Sequence, residues 1–154
     1  TLRSIFRRHG GLDGRGNFSG RLGQLVFSPA AGFMKGYIDL VFHHQNQFYL
    51  VDWKSNFLGA SIHDYHQEAL HQTMQENYYI LQYHLYILAL CQYLRLLKFD
   101  FRYESDFGGV FYIFIRGVDS RRDPEFGIFY DLPQPEFINA LGKILIPEFA
   151  ELNG

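Results

Sequence analysis

Two short apolar segments joined by five polar residues constrain the fold of this chain more than any other feature. GYIDLVF (36–42) and FYLVDWK (48–54) have the composition of β-strands, and HHQNQ (43–47) between them is typical of a hairpin turn. We therefore predict an antiparallel pair of strands. His43 and His44 fall in the predicted turn, so we expect them to face solvent rather than to bind a metal.

The rest of the chain alternates between helical and extended patterns. Apolar residues recur every three or four positions over 64–97, which predicts helix, with a division near Asn77. FGGVFYIFIRG (107–117) is apolar on both faces and is expected to be a central strand. The other predicted elements are a helix at 1–9, strands at 24–28 and 126–130, and a helix at 136–151 that Pro147 bends or ends. This order predicts one α/β domain with a mixed central β-sheet flanked by helices.

Composition limits the class of protein. Apolar residues make up 47% of the 154 residues and aromatic residues 18%, enough for the core of one folded domain. The chain contains no run of 18 apolar residues that could span a membrane. The single cysteine, Cys91, lies in the helical pattern and is expected to be buried and reduced, as in a cytoplasmic protein. The glycine-rich segment 10–23 fits neither a dinucleotide-binding motif nor a P-loop, so we expect a flexible loop.

Charge is distributed unevenly along the chain. Residues 1–35 contain six basic residues and one acidic residue, a net charge of +5, whereas the whole chain has a net charge of −2 and the remainder therefore −7. A protein that bound DNA unaided would usually be more basic. Any role on nucleic acid would therefore depend on metal ions or on a basic partner.

Charged residues interrupt both strands of the predicted hairpin. Asp39 lies within the first segment, and Asp52 and Lys54 end the second, where alternation directs both side chains to one face. Pairing across the turn can bring Asp39 near Asp52, and two close carboxylates repel each other unless a cation lies between them. Oxygen ligands favour Mg²⁺ or Mn²⁺, and Lys54 can orient a water or stabilise charge on a phosphate. The pattern indicates a metal-dependent phosphodiesterase site, although an isolated Asp-x-Lys is also typical of a surface ion pair.

Several of these segments together resemble a known nuclease family. GYIDLVF…YLVDWKSNFLG, then LQYHLYILAL with Gln82 and Tyr86, then FGGVFYIFIRGVD closely resemble the C-terminal nuclease domain of RecB proteins. These proteins are subunits of bacterial exodeoxyribonuclease V, and their nuclease domain belongs to the PD-(D/E)xK superfamily. The resemblance covers most of residues 34–132 in order, so it is much more specific than Asp-x-Lys alone.

The resemblance implies roles for the charged residues of the hairpin. Asp39 and Asp52 would bind Mg²⁺, or Mn²⁺ in its place. The backbone carbonyl of Trp53 would also face the metal, and Lys54 would be the catalytic lysine. The family also uses a histidine on a helix well upstream of the first aspartate. His9 is a poor substitute, because its segment resembles a later part of the family, so we expect the chain to be a fragment that lacks one metal ligand.

The same resemblance implies a substrate and partners. Gln82 and Tyr86, one helical turn apart, would help to hold DNA or the catalytic residues, although they could instead be a polar pair at the edge of a core helix. The substrate would be single-stranded DNA, and the partners would be RecC- and RecD-like subunits and a RecB helicase portion. We expect the isolated chain to cleave DNA poorly. Two other classes stay open: a catalytically silent module that holds DNA or partner subunits, and a free-standing restriction or junction-cutting nuclease.

Overall fold

A four-stranded mixed sheet forms the centre of the protein. The structure, a computed structural model, describes residues 1–9, 18–25, 36–98, 100–121 and 126–146. In the order in which they pair, the strands are β1 (Leu40–His44), β2 (Gln47–Lys54), β3 (Phe107–Phe114) and β4 (Ile128–Asp131). The two outer pairs are antiparallel, whereas β2 and β3 are parallel. The predicted mixed sheet, the antiparallel hairpin and the central position of the third strand are therefore confirmed.

The turn between β1 and β2 is shorter than predicted. It consists of Gln45 and Asn46, with φ of 48° and 65°. Positive φ at both central residues is typical of a two-residue hairpin turn, whose twist matches that of the flanking strands. His43 and His44 therefore belong to β1, where they pair with Phe48 and Gln47. Their placement in the turn was wrong, but both are exposed as expected.

Helices precede, connect and follow the strands. They are α1 (Leu2–His9), α2 (Phe18–Leu22), a 3₁₀ turn (Ile62–Tyr65), α3 (Gln67–Glu76), α4 (Tyr79–Leu97), α5 (Tyr103–Asp106) and α6 (Pro135–Leu145). The helical stretch divides at Asn77 and Tyr78 as predicted, because Tyr78 has φ of 56°, which a right-handed helix cannot contain. The predicted first helix is confirmed. The last helix ends at Leu145, and the part of it predicted beyond residue 146 lies outside the described residues.

The expectation of a loop over residues 10–23 was wrong for its second half. Phe18 and Leu22 are one helical turn apart and only 1% and 3% exposed, and the ring of Phe18 packs edge-on against Phe6 of α1 at 5.5 Å. Burial of this apolar pair stabilises a short helix despite the glycines around it. Residues 10–17, and most of the strand predicted at 24–28, lie outside the described residues; Gln24 and Leu25 are not in a strand.

The main core lies between the sheet and α3 and α4. Tyr83 of α4 packs against Tyr112 of β3 and Phe129 of β4, with ring centroids 5.9 Å and 6.2 Å apart. Cys91 is buried in this core as predicted, and burial raises the pKa of its thiol to about 12. None of the helices in the described residues has the length and apolar character required to cross a bilayer.

Candidate active site

The two carboxylates of the hairpin lie opposite each other at one end of the sheet. The pairing of Leu40 with Val51 places Asp39, the residue before β1, opposite Asp52 of β2. Beyond the last backbone pair of the two strands, the Asp39 side chain continues the contact. Its Oδ2 accepts a hydrogen bond from the Trp53 N–H at 2.9 Å. The register of the hairpin thus produces the proximity that the sequence predicted.

Asp52 is buried and paired with Lys54. Its exposure is only 4%, because it shares the face of β2 that the helices cover. Burial raises the pKa of the Asp52 carboxyl, and the negative charge of Asp39 raises it further, whereas the hydrogen bond and charge of Lys54 lower it. The Lys54 Nζ lies 2.6 Å from Asp52 Oδ2. The predicted alternation, which directs both side chains to one face, is confirmed.

The ammonium of Lys54 has three further neighbours. Its Nζ donates a hydrogen bond to Gln82 Oε1 at 3.0 Å. It also lies 3.9 Å from the ring centroid of Tyr79 and 4.9 Å from that of Tyr112, within the range of cation–π attraction. Lys54 is therefore held by a carboxylate, an amide and two aromatic faces.

Gln82 links this lysine to the helical pair that the sequence singled out. Because a lysine ammonium can only donate, the amide oxygen of Gln82 must face Lys54, and its Nε2 then donates to the Tyr86 hydroxyl at 3.1 Å. Tyr86 in turn packs against Gly36, where an added Cβ would lie 2.9 Å from the tyrosine ring. The structure therefore joins Gln82 and Tyr86 to Lys54 and Asp52 in one network.

Three residues contribute to the site but were not predicted from the sequence: Tyr79, Asn56 and Tyr112. The Tyr112 hydroxyl donates to Gln82 Oε1 at 2.9 Å, and the Tyr79 hydroxyl donates to Asn56 Oδ1 at 3.2 Å. Tyr79 could have been found, because it lies three residues before Gln82 and thus on the same helical face. Tyr112 could not, since only the pairing of β3 with β2 places it beside Asp52.

Trp53, predicted to act through its backbone carbonyl, and His9, considered a poor substitute for the missing ligand, were also named from the sequence. The side chain of Trp53 is 48% exposed and, by strand alternation, points away from Asp52 and Lys54. His9 stacks on Phe137 of α6, with ring centroids 6.1 Å apart. Within the residues that the structure describes, no group of three or more histidine, cysteine, aspartate or glutamate side chains could hold a metal, so His9 does not join the two aspartates.

The donor set nevertheless has the chemistry of a divalent-cation site. The carboxylates of Asp39 and Asp52 and the carbonyl of Trp53 are hard oxygen donors, which Mg²⁺ and Mn²⁺ favour. Burial is the main cause of the raised pKa of Asp52, and a cation between the two carboxylates would offset the smaller contribution that the charge of Asp39 makes. These residues fit such an ion when water supplies the rest of its coordination shell.

Open surface adjoins the network. A groove of about 710 Å³ extends along α4, and Tyr79, Gln82 and Tyr86 line part of it. Arg116 lies just beyond β3, where its Nε donates to the Ser55 carbonyl at 3.1 Å. Because Ser55 directly follows Lys54, this contact holds an exposed guanidinium at the same end of the sheet as the carboxylates.

Comparison with known proteins shows strong similarity to RecB subunits of several bacteria. The chain is 48% identical over 120 residues to RecBCD enzyme subunit RecB of Haemophilus influenzae, and 47% identical over 120 residues to that of Escherichia coli. Each match covers 78% of this chain and 10% of the relative. RecB of Mycobacterium tuberculosis is 35% identical over 136 residues. The chain thus spans about a tenth of the length of these relatives. No protein-family model matches it.

Proposed function

Because this chain is homologous to a segment of the RecB subunit of RecBCD enzymes, we propose that it is the nuclease domain of a RecB-type helicase–nuclease. In this role it hydrolyses DNA phosphodiester bonds, as an exodeoxyribonuclease V does, during double-strand break repair and recombination. The observation that carries the proposal is the network of Asp39, Asp52, Lys54 and Gln82. It gathers hard oxygen donors and a fixed cation at one end of the sheet.

Asp39 and Asp52, with the Trp53 carbonyl, would hold Mg²⁺, or Mn²⁺ in its place. When bound, the ion would polarise the phosphodiester and lower the pKa of a bound water. Lys54 orients the attacking water or stabilises the negative charge that develops on the phosphate oxygens. Gln82 and Tyr86 keep Lys54 in place and contact the DNA along the groove on α4.

The negative charge of the chain implies that DNA binding at the site needs additional contacts. The residues after position 35 carry a net charge of −7, which repels a phosphate backbone. The exposed guanidinium of Arg116 is placed to contact one phosphate. Further binding would come from the cation, from the RecB helicase portion, and from RecC- and RecD-like subunits that deliver single-stranded DNA. The chain alone should therefore cleave DNA slowly.

A catalytically silent module that only holds DNA or partner subunits is less consistent with the site. Asp52 and Lys54 lie beneath a helix, and apolar residues of similar volume there would fold at least as well. A buried ion pair beside a second carboxylate costs stability, and a role in catalysis would explain its presence.

The test is a chimera in which this chain replaces the matched segment of Haemophilus influenzae RecB, assembled with RecC and RecD. We expect it to degrade labelled DNA with Mg²⁺, and Asp39→Ala or Asp52→Ala to abolish degradation. Asp119→Ala, which alters an aspartate paired with Arg121, serves as the control and should cleave normally. In the chain alone, calorimetry should show Mn²⁺ binding that either active-site substitution removes. Degradation that survives Asp52→Ala, or Mn²⁺ affinity unchanged in both variants, would refute the proposal.

A further inference from the structure

Lys54 has more contacts than an ion pair with Asp52 requires. Besides the 2.6 Å contact with Asp52, its Nζ donates to Gln82 at 3.0 Å and lies 3.9 Å from the centre of the Tyr79 ring. Tyr112 presents a second ring at 4.9 Å and is completely buried. A lysine that only neutralised Asp52 would need neither the amide nor the rings.

The two tyrosines are themselves fixed. The Tyr112 hydroxyl donates to Gln82 Oε1 at 2.9 Å, so it orients the amide that accepts from Lys54. Tyr79 is tied to Asn56 through its hydroxyl at 3.2 Å. The rings lie 5.8 Å apart, and the ammonium contacts both.

This arrangement matters because Asp52 has two tasks in the function proposed above. Its Oδ2 contacts Lys54, yet the same carboxylate would be a ligand for a cation. Once its charge is shared with a cation, Asp52 attracts Lys54 less strongly. A lysine with no other partner would then become mobile, and its positioning for catalysis would be lost.

We propose that Tyr79 and Tyr112 are positioning residues that hold the Lys54 ammonium in place independently of Asp52. Tyr79 acts through its ring face, and Tyr112 acts through its ring and through the hydrogen bond that orients Gln82. The proposal rests on the nuclease function. It predicts that Lys54 keeps its position when the charge of Asp52 is removed.

The decisive experiment needs neither metal nor activity. The chain contains four lysines, so selective ¹³C labelling gives four ε-methylene signals, and Lys54→Arg identifies one of them. We expect the Lys54 signal to lie upfield of the others, because the ammonium sits over the Tyr79 ring. The shift should persist in Asp52→Asn, because Gln82 and the two tyrosine rings still hold the ammonium. Movement of the Lys54 signal to the position of the other lysines in Asp52→Asn alone would overturn the proposal.

A kinetic arm in the chimera links this geometry to catalysis. Tyr79→Leu should lower the single-turnover cleavage rate about 10-fold to 100-fold with little change in DNA affinity, since misplacing a catalytic group by about 1 Å has an effect of this size. Tyr79→Phe keeps the ring and should retain most of the rate. Tyr112→Phe keeps the ring but releases Gln82, and should fall between them. The exposed Tyr93, changed to phenylalanine, is the control. Equal rates for Tyr79→Leu and the unaltered chimera would contradict the proposal, whereas cleavage insensitive to Asp52→Ala would refute the nuclease function itself.

Discussion

Replacing Lys54 with methionine should destabilise the protein much more than the same replacement of Lys98. Both lysines place Nζ 2.6 Å from a carboxylate oxygen, Lys54 at Asp52 and Lys98 at Asp106. The side chains of the first pair are 11% and 5% exposed, and those of the second are 41% and 13% exposed. The two pairs match in distance and differ in burial and in the further contacts of Lys54 with Gln82 and Tyr79, so that Lys98→Met controls for loss of the ion-pair contact itself.

The expected sizes follow from desolvation. Removing one partner of a buried pair costs about 3–5 kcal/mol, because the remaining charge stays out of water without compensation. At 2.6 Å the attraction between unit charges is about 6 kcal/mol for an effective dielectric constant of about 20, so the lower figure allows for solvent entering the site. Loss of Lys98 should cost much less, because Lys98 is 41% exposed and Asp106 keeps hydrogen bonds from the Arg102 N–H and the Ser105 hydroxyl; pairs open to water contribute about 0.2–1 kcal/mol. Methionine keeps most of the aliphatic packing of lysine, which isolates the loss of charge.

Urea unfolding of the metal-free chain measures the difference. Trp53, the only tryptophan, adjoins the site and reports by fluorescence, with far-ultraviolet circular dichroism as a second probe. With a slope of about 2 kcal/mol per molar urea, the midpoint should fall by about 2 M for Lys54→Met and by less than about 0.5 M for Lys98→Met. Adding Asp52→Asn to Lys54→Met removes the uncompensated charge and should recover most of the loss.

Equal destabilisation by the two methionine variants, within about 0.5 kcal/mol, would refute this reasoning. So would a double variant no more stable than Lys54→Met, since the loss would then come from packing rather than from a buried charge.

Two further predictions concern other parts of the molecule. His84 is 1% exposed, and burial lowers its pKa to about 3 although its Nδ1 contacts the Ile80 carbonyl at 2.6 Å. As the pH falls below 6.5, His84 therefore gains a proton in the unfolded chain but not in the folded chain. The free energy of unfolding should fall by about 2 kcal/mol between pH 7 and pH 5, and by less in His84→Phe. Urea unfolding at each pH measures this difference. Arg116→Ala should weaken binding of single-stranded DNA and reduce the slope of log K against log salt by about 0.7, measured by fluorescence anisotropy. Arg121→Ala, whose guanidinium is already paired with Asp119 at 3.0 Å, should leave that slope unchanged, and equal slopes for both variants would contradict a phosphate contact by Arg116.

Local periodicity in the sequence determined the parts of the site that lie on single elements. Alternation along β2 placed Asp52 and Lys54 on one face, and the helical repeat placed Gln82 and Tyr86 on one face of α4. The hairpin brought Asp39 to Asp52, because a short connection restricts which residues can pair. Each of these relations spans few residues, so the chain itself encodes it.

The tertiary structure decided the relations between distant elements. The register of the parallel pair β2–β3 places Tyr112 opposite Asp52, and no local pattern fixes a register across a crossover of more than fifty residues. Packing of α4 on the same face then places Gln82 and Tyr79 against Lys54. Similarly, α2 forms because Phe18 packs against Phe6 of α1, and this contact offsets the low helix propensity of the glycines around Phe18. Contacts of this kind depend on burial shared between separate segments, and their energy exists only once the chain has folded.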